Sequence, residues 1–188
     1  MKGKALGFLM SGCLAAGFAT TGVFVAAPSA RAQFVPSYAE QRMHETFEAM
    51  RYNVQQISQH ASERERWDAN VAMWDVVLNH LRDTPNTNTK LLKDTLRFME
   101  GNVNQVTQPS ERERWTDNIA LWRLMIARLD DPVSLNLDLA QVQRALGEMD
   151  ANVCCIVETR EHDRWQANHD LWQLLVARWT DQMPIPTT

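Results

Sequence analysis

The chain has 188 residues, 45% of them hydrophobic and 22% charged, with a net charge of −4, seven tryptophans and three cysteines. An acidic balance without a basic stripe leaves no electrostatic footprint for nucleic acid or for an anionic membrane surface. The length is enough for one domain with a real core.

The first 32 residues read as an export signal. Lys2 and Lys4 give a basic start, no further charge occurs until Arg31, and Ala5 to Pro28 is rich in Ala, Gly, Leu, Phe and Val. Ala30-Arg31-Ala32 places small residues where a signal peptidase reads them. Cleavage there removes three of the 19 basic and none of the 23 acidic residues, taking the net charge to −7. The expected location is therefore periplasmic or secreted, with no transmembrane segment after cleavage. Two alternatives keep the chain at a membrane: an uncleaved signal used as an anchor, since the uncharged stretch is long enough to span, or a lipid on Cys13 in Met10-Ser11-Gly12-Cys13.

Residues 33–188 form a single all-α domain built from three repeats, at about 38–85, 88–132 and 137–184. The repeat is carried by R-W-x-x-N-x-x-[ML]-W, which occurs as Arg66-Trp67, Asn70, Met73-Trp74, then as Arg114-Trp115, Asn118, Leu121-Trp122, and again as Arg164-Trp165, Asn168, Leu171-Trp172. Six of the seven tryptophans lie in this pattern. Upstream, a second shared motif pairs Met50 with Asn53, Met99 with Asn102 and Met149 with Asn152.

Each unit predicts two helices joined as an antiparallel hairpin. In the first helix of the first unit, Met43, Phe47, Met50, Val54 and Ile57 fall within a wedge of about 80° at about 100° per residue. Leu92, Leu96, Met99, Val103 and Val106 repeat this stripe, as do Val142, Leu146, Met149, Val153 and Ile156. Around Trp67, the residues Val71, Met73, Trp74, Val77, Leu78 and Leu81 widen the apolar face of the second helix to about 160°. A helix with so wide a face touches several neighbours. Ser62-x-x-Glu65 and Ser110-x-x-Glu113 read as capping boxes opening the second helices. The links Ser58–Ser62, Thr107–Ser110 and Val157–Arg160 suit antiparallel packing. Leu81 to Pro85, Leu129 to Pro132 and Trp179 to Pro184 end the units. Six helices stacked as a short solenoid or closed into a compact bundle both fit this pattern.

The recurring polar residues are read first as structural. Arg66, Arg114 and Arg164 stand at the start of the second helix, beside the unpaired carbonyls that end the first. Asn70, Asn118 and Asn168 lie within the apolar wedge, where they could pair with Asn53, Asn102 and Asn152 across each hairpin. Alternatively, Trp, Arg and Asn form a ligand edge presented three times, suited to sugars, aromatic compounds or a carboxylate.

The third unit departs from the other two. Cys154 and Cys155 stand on the outward face where Gln55-Gln56 and Asn104-Gln105 stand, and in an oxidising compartment either one suits a disulfide-linked homodimer. His162 and His169 share a face, and with Cys155 they sketch a sparse soft-metal site. The competing reading is a polar outer face that caps the end of a stack. There is no Gly-rich phosphate loop, haem-attachment motif or nucleophile motif. Glu63, Glu65, Glu111 and Glu113 are accounted for by first-turn positions and the helix dipole. The sequence therefore predicts a non-catalytic, cofactor-free scaffold or interaction module with a protein partner of unknown identity, and secondly a small-ligand binder acting between hairpins.

Overall fold

The computed structural model describes residues 37–58, 60–81, 87–131 and 138–182. The expected export signal, its cleavage after Ala32 and the alternative lipid on Cys13 lie outside these residues. So do Pro85, Pro132 and Pro184, which were expected to close the units.

Six helices make up the described chain: α1 (Tyr38–Gln55), α2 (Ala61–Asn79), α3 (Thr89–Val103), α4 (Pro109–Asp130), α5 (Leu139–Val153) and α6 (Thr159–Gln182). No strand occurs among the described residues. No helix of theirs is long and apolar enough to cross a membrane.

The helix starts differ from those expected. Ser37 and Glu40 form a full capping box at α1, the Ser37 hydroxyl accepting from the Glu40 amide and the Glu40 carboxylate from the Ser37 amide. Asn88 and Asp138 cap α3 and α5 by accepting from the amides of Leu91 and Gln141. The boxes expected at Ser62 and Ser110 do not form. The N-caps of α2 and α4 are His60 and Gln108, and neither makes a side-chain cap bond. At α4 the reason is Pro109, whose fixed φ and missing N–H favour the first helical position and start the helix one residue before Ser110. At α6, Glu158 accepts from the amides of Arg160 and Glu161. α6 carries the buried Trp179 and is described as far as Gln182, within the Trp179 to Pro184 segment expected to end the third unit.

The apolar stripes are the buried faces. Met43, Phe47, Met50 and Val54 of α1 are enclosed, with their counterparts Leu92, Leu96, Met99 and Val103 of α3 and Val142, Leu146, Met149 and Val153 of α5. α1 packs on α2, α2 on α3, and so along the chain to α6, which packs on α1. The contacts thus run round a closed ring, and one continuous core fills it. α2, α4 and α6 meet at its centre, where the wide faces of these three helices bury Trp67, Trp74, Trp115, Trp122, Trp165 and Trp172 at 0–1% exposure.

Candidate functional site

The residues singled out by the repeat converge on the axis about which α2, α4 and α6 are arranged. They form successive layers, and each layer is set by helical spacing: Arg66 and Trp67, then Asn70 one turn on, then Trp74.

In the first layer Trp67, Trp115 and Trp165 meet edge to face, with ring centroids 5.0, 4.8 and 4.8 Å apart. In the last layer Trp74, Trp122 and Trp172 repeat the triangle at 5.0, 4.7 and 4.7 Å. Tilted or edge-on contacts at this separation align the positive ring edge with the negative face of the next ring.

Between the triangles lies a cycle of three buried amides. Nδ2 of Asn70 donates to Oδ1 of Asn168 at 2.9 Å, Asn168 to Asn118 at 3.0 Å, and Asn118 to Asn70 at 3.0 Å. The indole N–H groups of the last layer join the same acceptors. Trp74 donates to Asn168 at 2.9 Å, Trp122 to Asn70 at 2.9 Å and Trp172 to Asn118 at 3.0 Å. The second N–H of each amide faces a methionine sulfur: Met50 from Asn70 at 3.8 Å, Met99 from Asn118 at 3.9 Å, and Met149 from Asn168 at 3.9 Å. Each oxygen therefore accepts twice and each nitrogen donates twice, which is the full capacity of the group.

The arginines form a second cycle, running in the opposite sense around the axis. Arg66 pairs with Glu111 at 2.7 Å, Arg114 with Glu161 at 2.6 Å and Arg164 with Glu63 at 2.8 Å. Each guanidinium also covers the tryptophan of the unit it reaches, Arg66 over Trp115, Arg114 over Trp165 and Arg164 over Trp67, at 5.5–5.9 Å from the ring centroid. Burial pushes the Glu161 carboxyl above the usual range, and the nearby charges of Glu111 and Glu63 add to this against the opposing pull of Arg114 and Arg164. Nε of all three arginines and Nε1 of Trp115 are buried without a hydrogen-bond partner.

Two expectations about these residues are corrected. The amides of α2, α4 and α6 do not pair with Asn53, Asn102 and Asn152. They reach each other across the axis, because the tryptophan triangles bring the three central helices together at that level. Asn53 is only half-buried. Nδ2 of Asn102 lacks a partner, and Asn152 donates to the Glu148 carbonyl at 3.1 Å. Likewise, the repeated arginines reach the following unit, where Arg114 also touches the Asn152 carbonyl at 3.4 Å. Arg64 instead donates to the end of its own unit's first helix, at 3.3 Å from the Gln55 carbonyl, and Arg112 to the turn just past α3, at 3.0 Å from the Val106 carbonyl.

The repeat also holds residues whose role its motifs did not reveal. Glu63, Glu111 and Glu161 serve as ion-pair partners, and the signal was present as Glu three residues before Arg in every copy. Asp117 on α4 and Glu148 on α5 are within hydrogen-bonding reach of each other, at the positions that correspond to Ala69 and Phe98, which line a groove in the first unit. Burial and the adjacent Glu148 push the Asp117 carboxyl up to about 7.

The features particular to the third unit stay apart. Cys154 and Cys155 are free and exposed. His162 is part-exposed beside Asp163, whereas His169 is buried beside Asp170. The outer capping face expected to carry His169 does not form, because α6 packs against α1 and the ring has no open end. Among the described residues, no group of three or more His, Cys, Asp or Glu side chains converges in a way that could hold a metal ion. No protein-family model, curated protein or solved structure matches the chain.

Proposed function

We propose that this chain is an exported, non-catalytic scaffold, or protein-interaction module, whose three hairpin repeats build a rigid support. The observation that carries the reading is the closure of the repeated polar set upon itself. Asn70, Asn118 and Asn168 use every donor and acceptor on one another, the indoles and the methionines. The three arginines are each held by a glutamate. Side chains so engaged and so deeply buried serve packing, and this weighs against a ligand edge made of Trp, Arg and Asn. Recognition then belongs to the outer surface, where the units differ. There α3 exposes Leu91 and Phe98, seven residues apart on one face, at 47% and 51%. A protein partner is the natural occupant of an outward apolar pair on a stiff helix.

The test is affinity capture from the native exported fraction with wild type and with the Leu91→Ala/Phe98→Ala variant. Discrete proteins retained by wild type and lost by the variant support the proposal. A clean isolate carrying a co-purified small molecule overturns it in favour of ligand binding. Homodimerisation through Cys154 or Cys155 belongs to the same proposal. A dimer band on a non-reducing gel, abolished by Cys154→Ser/Cys155→Ser, is its expected signature, and monomer throughout removes it.

A further inference from the structure

The threefold pattern is broken at the surface by two adjacent thiols. Cys154 is the C-cap of α5, with φ −59° and ψ −18°, and Cys155 follows it in the turn leading to α6. Both are exposed and free. Their sulfurs lie 3.7 Å apart and approach the same carbonyl, that of Ala151, at 3.0 and 3.7 Å. The turn therefore points both side chains the same way.

That spacing has a chemical meaning. Two sulfurs bound to one pyramidal trivalent centre at about 2.3 Å, a typical thiolate bond length, and an angle of about 95–100° lie about 3.4–3.5 Å apart. The resting pair, at 3.7 Å, is within a few tenths of an ångström of this separation, so a chelated centre would be received with little movement of the backbone. A disulfide within the pair would instead require the sulfurs to close to about 2.05 Å. Among the described residues, no third His, Cys, Asp or Glu side chain joins the two thiols in a group that could hold a metal ion. An ion that demands four protein ligands is therefore poorly served, and a centre completed by two sulfurs fits.

We propose that Cys154 and Cys155 form a bidentate dithiol site for thiophilic centres that take two adjacent sulfurs, with trivalent organoarsenicals as the chemical type. With a monosubstituted arsenoxide, two S–H bonds and the As=O bond break and two As–S bonds form. Both thiol protons leave with the oxygen as one water, and arsenic stays trivalent, so no oxidant or reductant is needed. The hydrogen bond and charge of Cys155, which hold the Cys154 thiol above its ordinary value, are consistent with this. They favour the protonated Cys154 thiol, the form this condensation consumes. Chelation joins two sulfurs of one chain, whereas the disulfide dimer would take one from each of two chains.

The experiment uses the full chain with Cys13→Ser, so that only the pair reports, reduced and treated with phenylarsine oxide. Intact mass should show one adduct per chain, with water lost and both thiols closed to alkylation. The adduct should survive an excess of 2-mercaptoethanol and be released by dithiothreitol. A two-point attachment commonly gains about 10²–10⁴ over one point, so Cys154→Ser and Cys155→Ser should each weaken retention at least about 100-fold. Both sites are exposed, and unchanged far-UV circular dichroism checks the fold of each variant. Removal of the adduct by the monothiol alone, or two arsenicals per chain, overturns the proposal on the wild-type pair without reference to the variants.

Discussion

At the scale of single residues, the amide cycle shows how a polar group can be accommodated in the centre of a core. An amide transferred there without partners costs a few kcal/mol, yet a fully bonded one fixes geometry that apolar side chains leave loose. Asn118→Ala removes the acceptor used by both Asn168 and Trp172 and leaves those two donors buried. At about 1–3 kcal/mol for each stranded group, with the lost volume added, the variant should be less stable by about 3–5 kcal/mol in urea titration. Asn53→Ala removes a half-buried amide outside the cycle and should cost less than about 1 kcal/mol. Equal costs for the two would contradict the assignment of the cycle as the keystone.

A second residue-scale consequence concerns pH. Asp117 titrates near 7 in the folded chain, because burial and Glu148 disfavour its charge, against the ordinary value of 3.8. The favourable contribution is therefore fully present below about pH 4 and is lost as pH rises through about 7. The nominal shift would correspond to more than 4 kcal/mol, but the site is half-exposed and solvent screening reduces this to about 1–2 kcal/mol. Asp117→Asn should accordingly stabilise the chain by that amount at pH 8 and by almost nothing at pH 4, read from paired denaturation curves. A gain of equal size at both values would show that the carboxyl pair is not its origin.

At the scale of elements, the wide apolar wedge of α2 was legible in the sequence because its period is that of a helix and its tryptophans recur with it. Trp67 and Trp74 being seven residues apart was sufficient to place both on one face. Their burial predicts blue-shifted emission from the folded chain and a clear red shift in denaturant, and emission already at the fully solvated wavelength would contradict the packing. What the sequence did not disclose was which element each polar residue would meet. Arg64 and Arg66 are two residues apart and of the same type, yet one reaches back to the end of α1 and the other across to Glu111 on α4. Local spacing ranks both as neighbours of the preceding helix end, and only the arrangement of the three central helices separates them. The same limit affected Ser62 and Ser110, where the sequence carries a capping pattern and the helix starts two residues too early to use it.

At the scale of the whole molecule, closure distinguishes this architecture from an open stack of similar length. The solenoid reading treated the third unit as an end, and periodicity alone could not decide, because stripes specify which faces are buried and not how many neighbours complete them. The amide and arginine cycles decide it chemically, since each needs three members and each member satisfies the next. In a solenoid, stability is roughly a sum of units and nearest-neighbour interfaces, so loss of one terminal repeat leaves a folded, weakened remainder. Here residues 37–131 alone would leave Asn70 and Trp74 without Asn168, Arg114 without Glu161, and both tryptophan triangles open on one side. That fragment should lack a cooperative thermal transition. Adding a chain of residues 138–182 should restore it in trans at 1:1 stoichiometry, with circular dichroism and calorimetry following the recovery. A fragment 37–131 that unfolds cooperatively by itself, with only about a third of the enthalpy missing, would instead show that the units stand independently and that the ring is an accident of packing rather than a requirement of the fold.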